Sequence, residues 1–264
     1  MTLGWWEGLF LGLVQGLTEF LPISSSGHLV LAEELVGFHP PGLFVEVGLH
    51  VATLLSVFVA YRERISGLTR GLFTGDKEAW RYAGLLVLAS VPAAIAGLFF
   101  RDFFVESFDS GVSIGVQFLL TALILWATKP AAGRATAQTI TVGAALLIGV
   151  AQAIAILPAI SRSGATIAAA LWLGIAPGPA AEFSFLMSII AVAGSALLEA
   201  RHIPPGANLL APGFVVAFLA AMLSGIWAIR FLIALLRRGR FYAFAPYCAV
   251  LGVFTIVWYT VLRG

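Results

Sequence analysis

The sequence predicts an all-α polytopic membrane protein with an inverted-topology repeat, each half one re-entrant helix hairpin plus three transmembrane helices. Three observations predict it. The composition is too apolar for a water-facing surface. Six apolar stretches are long enough to cross a bilayer. Two further apolar regions are broken midway and match one another.

The chain has 264 residues, 60% hydrophobic and 11% charged, with mean hydropathy +1.00. Soluble domains carry about 25% charged residues, so an ordinary hydrated exterior cannot be assembled here. A net charge of +2, with no basic run interleaved with aromatics, gives no sign of a nucleic-acid partner. The single cysteine, Cys248, excludes an intramolecular disulfide framework and a Cys-rich metal site. The N-terminal stretch does not read as a signal peptide, because it lacks a basic n-region and carries Glu7 and Glu19.

A spanning helix needs about 20 mostly apolar residues. Residues 44–61, 82–100, 112–128, 179–198, 212–236 and 241–262 qualify. Regions 3–37 and 138–174 are each long enough for two short helices, with Pro, Ser and Gly between them. Such breaks are tolerated at membrane depth only against protein or a wet cavity. The 62–81 connection holds Arg62, Arg64, Arg70, Lys77 and Arg81; the 230–240 connection holds Arg230, Arg237, Arg238 and Arg240; Lys129 and Arg134 follow the third span. The 101–110 loop sets Arg101 against Asp102, Glu106 and Asp109, and the 199–211 loop has only Arg201. Basic loops lie inside. That rule is satisfied if both broken regions enter and leave on one side, with both termini outside. Trp5, Trp6, Trp126 and Trp258 fit interfacial belts.

A shift of 137 residues lays "GLVQGLTEFLPISSSGHL" (12–29) on "GVAQAIAILPAISRSGAT" (149–166) without a gap. Gly12 meets Gly149, Gln15 meets Gln152, Ser24 meets Ser161, Ser26 meets Ser163 and Gly27 meets Gly164. A shift of 136 lays Glu46 on Glu182. One integral membrane domain, 1–264, then divides into repeat one (1–130) and an inverted repeat two (138–264). Inverted repeats bring broken helices together near the midplane. Ser25 aligns with Arg162, so the asymmetry of the halves is concentrated in that pair.

A charge at the bilayer centre is costly and marks function or pairing. Arg162 is the only charged residue between Arg134 and Glu182. Its planar fork suits phosphate. Ser161, Ser163 and Thr166 add hydroxyls, Gly164 admits backbone amides, and the helix that starts here offers an anion-binding N-terminus. The Ser24–Ser26 run and Gly27 form a second such terminus. Glu19 is the other costly charge; Gln15, four residues earlier, shares its helix face. The two oxygens suit a hard divalent cation, Mg²⁺ or Ca²⁺, and Glu19 could equally serve as a base. His28 lies three residues beyond Ser25, so hydroxyl and imidazole share a face, the pattern of an activated nucleophile. Plainer roles stand beside these: Ser24–Ser26 as helix caps, His28 as a hydrogen-bonded core histidine, Arg162 as the structural counter-ion of Glu19. Glu46, His50 and Glu182 read first as packing-related hydrogen bonders, His39 and His202 as loop residues.

"QGLTEFLPISSSGHL" and "LPAISRSGATIAAAL" resemble the two signature motifs of the bacterial undecaprenyl-diphosphate phosphatase family, often called the bacitracin-resistance family; "VEVGLHVATLLSV" and "EFSFLMSI" resemble further segments of it. The resemblance covers nearly the whole chain. It implies an integral enzyme of the bacterial cytoplasmic membrane, with its site opening to the outer, periplasmic face. The implied reaction removes the terminal phosphate of undecaprenyl diphosphate to regenerate the monophosphate carrier for cell-wall synthesis, with a divalent cation. Two departures stand out. Gln15 occupies the first motif's Glu-or-Gln position, leaving Glu19 as the one carboxylate, and Ala159 replaces a glycine before Ser-Arg-Ser. The expected site comprises Ser25, His28, Glu19 and Arg162 as catalytic groups; Ser24, Ser26, Gly27, Ser161, Ser163, Gly164 and Thr166 around the substrate; and Glu19 with Gln15 at the cation. Ser25 with His28 as base, His28 itself, and water attacking directly remain rival nucleophiles. An anion or lipid-headgroup transporter on the same repeat is the competing function, and a homodimer is one candidate assembly.

Overall fold

The computed structural model describes residues 3–37, 44–100, 103–104, 107, 110–131, 133–199 and 210–262. His39, Arg101, Asp102, Glu106, Asp109, Arg201 and His202 lie outside the described residues. The helices in chain order are α1 (Trp5–Phe20), α2 (Ser25–Val36), α3 (Phe44–Ala60), α4 (Arg62–Thr74), α5 (Lys77–Phe99), α6 (Gly111–Trp126), α7 (Val142–Ile154), α8 (Arg162–Trp172), α9 (Pro177–Glu199), α10 (Pro212–Arg237) and α11 (Ala245–Val257).

Among the described residues, α5, α9, α10 and the helical stretches Gly111–Ala131 and Phe241–Val261 are long and apolar enough to cross a membrane. The sixth expected span, 44–61, is α3, whose 17 residues bend by 79° into α4. The 62–81 connection is therefore largely helical. α4 buries none of its residues and carries Arg62, Arg64 and Arg70, so it can lie along a membrane surface but cannot cross it. Gly75, at φ +76, ends α4, and the Asp76 carboxylate accepts from the Glu78 N–H at 3.0 Å to start α5.

Small residues bring the helices close, as expected where lipid supplies no hydrophobic drive between them. Gly8, Gly12 and Gly16 of α1 face Gly213, Ala217 and Ala221 of α10, and a methyl on any of the three would strike backbone carbonyls. Phe20, the last residue of α1, reaches Gly225. So α1 follows only the first half of α10, and α2 turns back beside the start of α3, where Leu29, Ala32, Val45 and Leu49 share one apolar cluster. The α7–α8 hairpin is closed at its foot. Ala137 and Ile175 form a parallel bridge, with the Ala137 N–H on Gly174 O at 2.9 Å and the Ala176 N–H on Ala137 O at 2.8 Å.

The basic regions gather at that foot. The Arg64 side chain pairs with Glu182 at 2.8 Å, Arg81 donates to Ile140 O at 3.1 Å, and Lys129 sits over Trp126 and Tyr242. Leu3 and Gly4, beside Gly213, lie at the other end of α10. The main core, including Phe20, Ile148, Ile167, Phe183, Phe185 and Ile229, surrounds the inner ends of both hairpins.

Candidate active site

Each break is a Pro-containing turn capped by a serine. At the first, α1 ends at Phe20 and Ser24 caps α2, its hydroxyl accepting from the Gly27 N–H at 3.5 Å. At the second, the Ser161 hydroxyl accepts from the Gly164 N–H at 3.1 Å and starts α8. The breaks hold one another: Ser24 Oγ donates to Pro158 O at 2.6 Å, and Ser163 Oγ to Leu21 O at 3.2 Å. α6 braces the second break through two polar groups one turn apart. Gln117 Oε1 accepts from the Ala159 N–H at 2.8 Å, while Thr121 Oγ1 donates to Ala159 O at 2.8 Å and accepts from the Ser161 N–H at 3.2 Å. Ala159 is fully buried, and Ser24 is the only non-glycine with positive φ among the described residues. The turn at Ala159 thus has no need of glycine's backbone freedom.

The contact between the breaks brings the candidate groups together. Ser25 and Arg162 are the first residues of α2 and α8. Both point at Glu19, on the last turn of α1. Glu19 Oε1 takes Nη2 of Arg162 in a charge-assisted bond. Glu19 Oε2 accepts from Ser25 Oγ at 2.5 Å and from Gln15 Nε2 at 2.9 Å. The carboxylate side chain is 4% exposed and the Arg162 side chain 22%. The pair thus joins a sealed carboxylate to a guanidinium that keeps a free edge. Breaking such a pair from one side leaves a stranded charge, at about 3–5 kcal/mol.

The structure distributes the remaining expected site residues differently. The anticipated Ser25–His28 pair does not form. Ser25 bonds to Glu19, and the two His28 ring nitrogens lie 2.6 Å from Ser24 O and 2.7 Å from the Tyr247 hydroxyl. The physical reason is the turn itself: it carries the carboxylate back over the start of α2, while the imidazole folds onto its own helix end. Ser24, Ser161 and Ser163 bond within the breaks. Gly27 packs on Phe118 and Ala159, where a methyl would come within 2.6 Å of the ring. Thr166 is fully buried, bonded to Arg162 O at 2.8 Å and to Ser184 Oγ at 2.6 Å. Ser26 is half-buried, one residue beyond Ser25.

His50 joins the cluster. Its Nε2 stands 3.7 Å from Glu19 Oε2, and its Nδ1 contacts Glu46 O at 2.8 Å. The sequence reads it first as a packing-related hydrogen bonder rather than a catalytic group, and the contact with a carbonyl four residues earlier satisfies that reading equally. Sequence reasoning does not single out Gln117 and Thr121, although their spacing is a signal: with Ser113 they are three polar groups four apart on an otherwise apolar helix. Tyr247 gave no signal. Gln152, the repeat partner of Gln15, is buried with neither amide atom bonded; where Gln15 finds Glu19 four residues on, Gln152 finds Ile156.

Glu182 lies elsewhere, accepting from Arg64 at 2.8 Å and from the Tyr82 hydroxyl at 3.2 Å. It lines a cavity of about 510 Å³ with Tyr61, Arg81 and Arg237 at the basic end.

Comparison with known proteins matches these motifs to one family over almost the full length. The family described as Bacitracin resistance protein BacA matches residues 8–254. A protein of Carboxydothermus hydrogenoformans named undecaprenyl-diphosphatase is 43% identical over 258 residues, covering 95% of this chain and 96% of its own. Proteins of the same name from Desulfosudis oleivorans and Bacteroides fragilis are 42% and 40% identical, each over at least 95% of this chain and 97% of their own. Both breaks, the whole α7–α8 hairpin and the bracing helix α6 fall inside the matched residues, and the chain belongs to the bacitracin resistance protein BacA family.

Proposed function

We propose that this chain is an undecaprenyl-diphosphate phosphatase, a membrane enzyme that hydrolyses the terminal phosphate of a polyprenyl diphosphate and regenerates the monophosphate carrier for cell-wall synthesis. One observation carries the reading: a hydroxyl from one break and a guanidinium from the other meet on the two oxygens of one buried carboxylate, in a chain whose relatives are named undecaprenyl-diphosphatase.

Phosphoryl transfer needs positioning and charge stabilisation above all. Arg162 turns its fork from Glu19 to the phosphoryl oxygens, and the amide-rich starts of α2 and α8 face the same anion. Ser25 Oγ attacks the terminal phosphorus. The Ser–O–P bond forms, the bridging P–O bond breaks, and the lipid monophosphate leaves. The Ser25 proton passes to Glu19 Oε2, already its hydrogen-bond acceptor, and from there to the departing lipid monophosphate, which leaves Glu19 ionised. Water then cleaves the phosphoserine: its hydroxide bonds to phosphorus, its proton passes by Glu19 to Ser25 Oγ, the Ser–O–P bond breaks, and inorganic phosphate leaves. Gln15 holds Glu19 in place from the preceding turn.

The donor set suits a divalent cation brought by the diphosphate. Glu19 offers one carboxylate, and Gln15 Oε1 is buried without a partner. One carboxylate with substrate phosphates is an ordinary arrangement for Mg²⁺. Bound there, the cation would neutralise charge on the diphosphate. No group of three His, Cys, Asp or Glu occurs that could hold a metal among the described residues, so a cage made wholly of protein side chains is not part of this reading.

The two hairpins are read as re-entrant and related by an inverted repeat. In support, α1 follows α10 for only half its length, and the α7–α8 hairpin enters and leaves at Ala137 and Ile175. Gly115 and Gly252, 137 residues apart, face each other reciprocally: a methyl on either would lie 2.8 Å from the other's carbonyl oxygen. Placing the basic end inside sets the Glu19–Ser25 hairpin in the outer half of the cytoplasmic membrane, opening outward. The prenyl chain then lies among apolar helices or in lipid.

Purified protein in detergent, given C55 diphosphate and Mg²⁺, is expected to release inorganic phosphate. A transporter would release none there, since transport needs a second compartment.

A further inference from the structure

Ser24 is out of place. Its backbone stands at φ 69, ψ 109, whereas Ser161, doing the same capping job at the matching position, stands at φ −65, ψ 118. Capping therefore does not demand the positive φ, and a side chain bearing a Cβ adopts it only where its surroundings impose it. At the second break the carbonyl of Ser161 accepts only the ordinary helical bond from Ala165 N at 2.8 Å. At the first, the carbonyl of Ser24 also receives His28 Nδ1 at 2.6 Å. A carbonyl can only accept, so Nδ1 carries the hydrogen. In the neutral ring Nε2 is then an acceptor, and Tyr247 Oη donates to it at 2.7 Å. The two rings stack at 8°, and Phe118 closes on the imidazole edge-on at 5.4 Å. Neither nitrogen of the neutral ring is left over for chemistry.

We infer that Tyr247 is a positioning residue for the reaction: through His28 it pins the Ser24 carbonyl, holds the strained turn, and so keeps the Ser25 hydroxyl on Glu19. The inference rests on the reading of Ser25 as nucleophile. The pin is present only at the break that carries the hydroxyl; the residue aligned with His28 in the other repeat is Ala165.

The test uses the purified full chain and its phosphate release, with monodispersity and thermal unfolding checked for each variant. His28→Asn keeps a donor where Nδ1 stood and is expected to stay within about tenfold of wild-type kcat, whereas His28→Ala falls by about a hundredfold. Tyr247→Phe is expected to lose about tenfold in kcat with KM unchanged, and to add nothing in the His28→Asn background, where Nε2 no longer exists. His28→Asn as inactive as His28→Ala, both folded, would overturn the inference in favour of proton transfer or attack by His28. Wild-type kcat in Tyr247→Phe would overturn the part assigned to Tyr247. Histidine-labelled NMR separates this from the nucleophile reading. A neutral His28 protonated at Nδ1 and perturbed by Tyr247→Phe supports the pin even if Ser25→Ala retains activity; a ring protonated at Nε2 alone refutes it.

Discussion

The first break, ending at Ser24 and Ser25, and the second, ending at Ser161 and Arg162, are built from nearly the same residues. Each has a proline, a capping serine and a glycine three residues on, and each leans on the other's backbone. They differ in the residue next after the capping serine and in how that serine is held. The second break is relaxed, braced by Gln117 and Thr121, and presents a guanidinium. The first is strained at Ser24, pinned by His28, and presents a hydroxyl already bonded to a carboxylate. A flexible arginine with a 22% exposed side chain can swing to its anion. A serine has one short bond and must be delivered by the backbone. On the proposed reading, in which Ser25 Oγ reacts, precision is invested on the side whose short side chain cannot move.

The comparison can be broken most strongly at the guanidinium. Arg162→Ala is expected to lower kcat about a thousandfold or more, the scale of a transition-state arginine. Arg162→Lys should recover only part, since an ammonium cannot offer the bidentate fork. A loss of less than tenfold in Arg162→Ala, with folding intact, would demote it to a structural counter-ion.

Next comes packing. Gly12→Leu places a branched chain against the Ala217 carbonyl, with an expected destabilisation of about 1–3 kcal/mol or more. Gly143→Leu, in open space on α7, should leave the melting temperature nearly unchanged.

The strain itself gives a smaller effect. Positive φ at a non-glycine costs about 1–3 kcal/mol, so Ser24→Gly relieves what Ser24→Ala keeps. The stability gap between the Gly and Ala variants should be larger at position 24 than at position 161 by about 1 kcal/mol or more. Equal gaps would mean that Ser24 is not strained in the membrane.

Smallest of all is the distant ion pair. Arg64 and Glu182 have side chains 44% and 30% exposed. Glu182→Gln should cost about 1 kcal/mol or less and leave kcat unchanged. A large loss of activity would tie the basic end to the chemistry.

Much of this was legible in the sequence. Spans follow from apolar run length, because the bilayer sets the length a helix must reach. Glu19, Ser25 and Arg162 stand out because a charge or a polar cluster at membrane depth is too costly to be incidental, and the Gln15–Glu19 bond follows from helical spacing. The Ser25–His28 pair did not survive, because spacing within α2 says nothing about a carboxylate folded back across the turn from α1. Tyr247 is 219 residues from His28, and no local pattern links them. The strain at Ser24 is invisible because its repeat mate is also serine yet takes an ordinary conformation. The 62–74 segment reads as a charged connection, since a short, charged helix lacks the apolar length that reveals a span.

In the proposed reaction Ser25, set on Glu19 by the first break, attacks the terminal phosphorus. Acid-quenching the enzyme with C55 diphosphate and mapping the trapped phosphate by mass spectrometry tests it most directly. An acid-stable phosphoserine at position 25, absent from Ser25→Ala, is the expected result. An acid-labile phosphohistidine at position 28, or full turnover by folded Ser25→Ala, would contradict it.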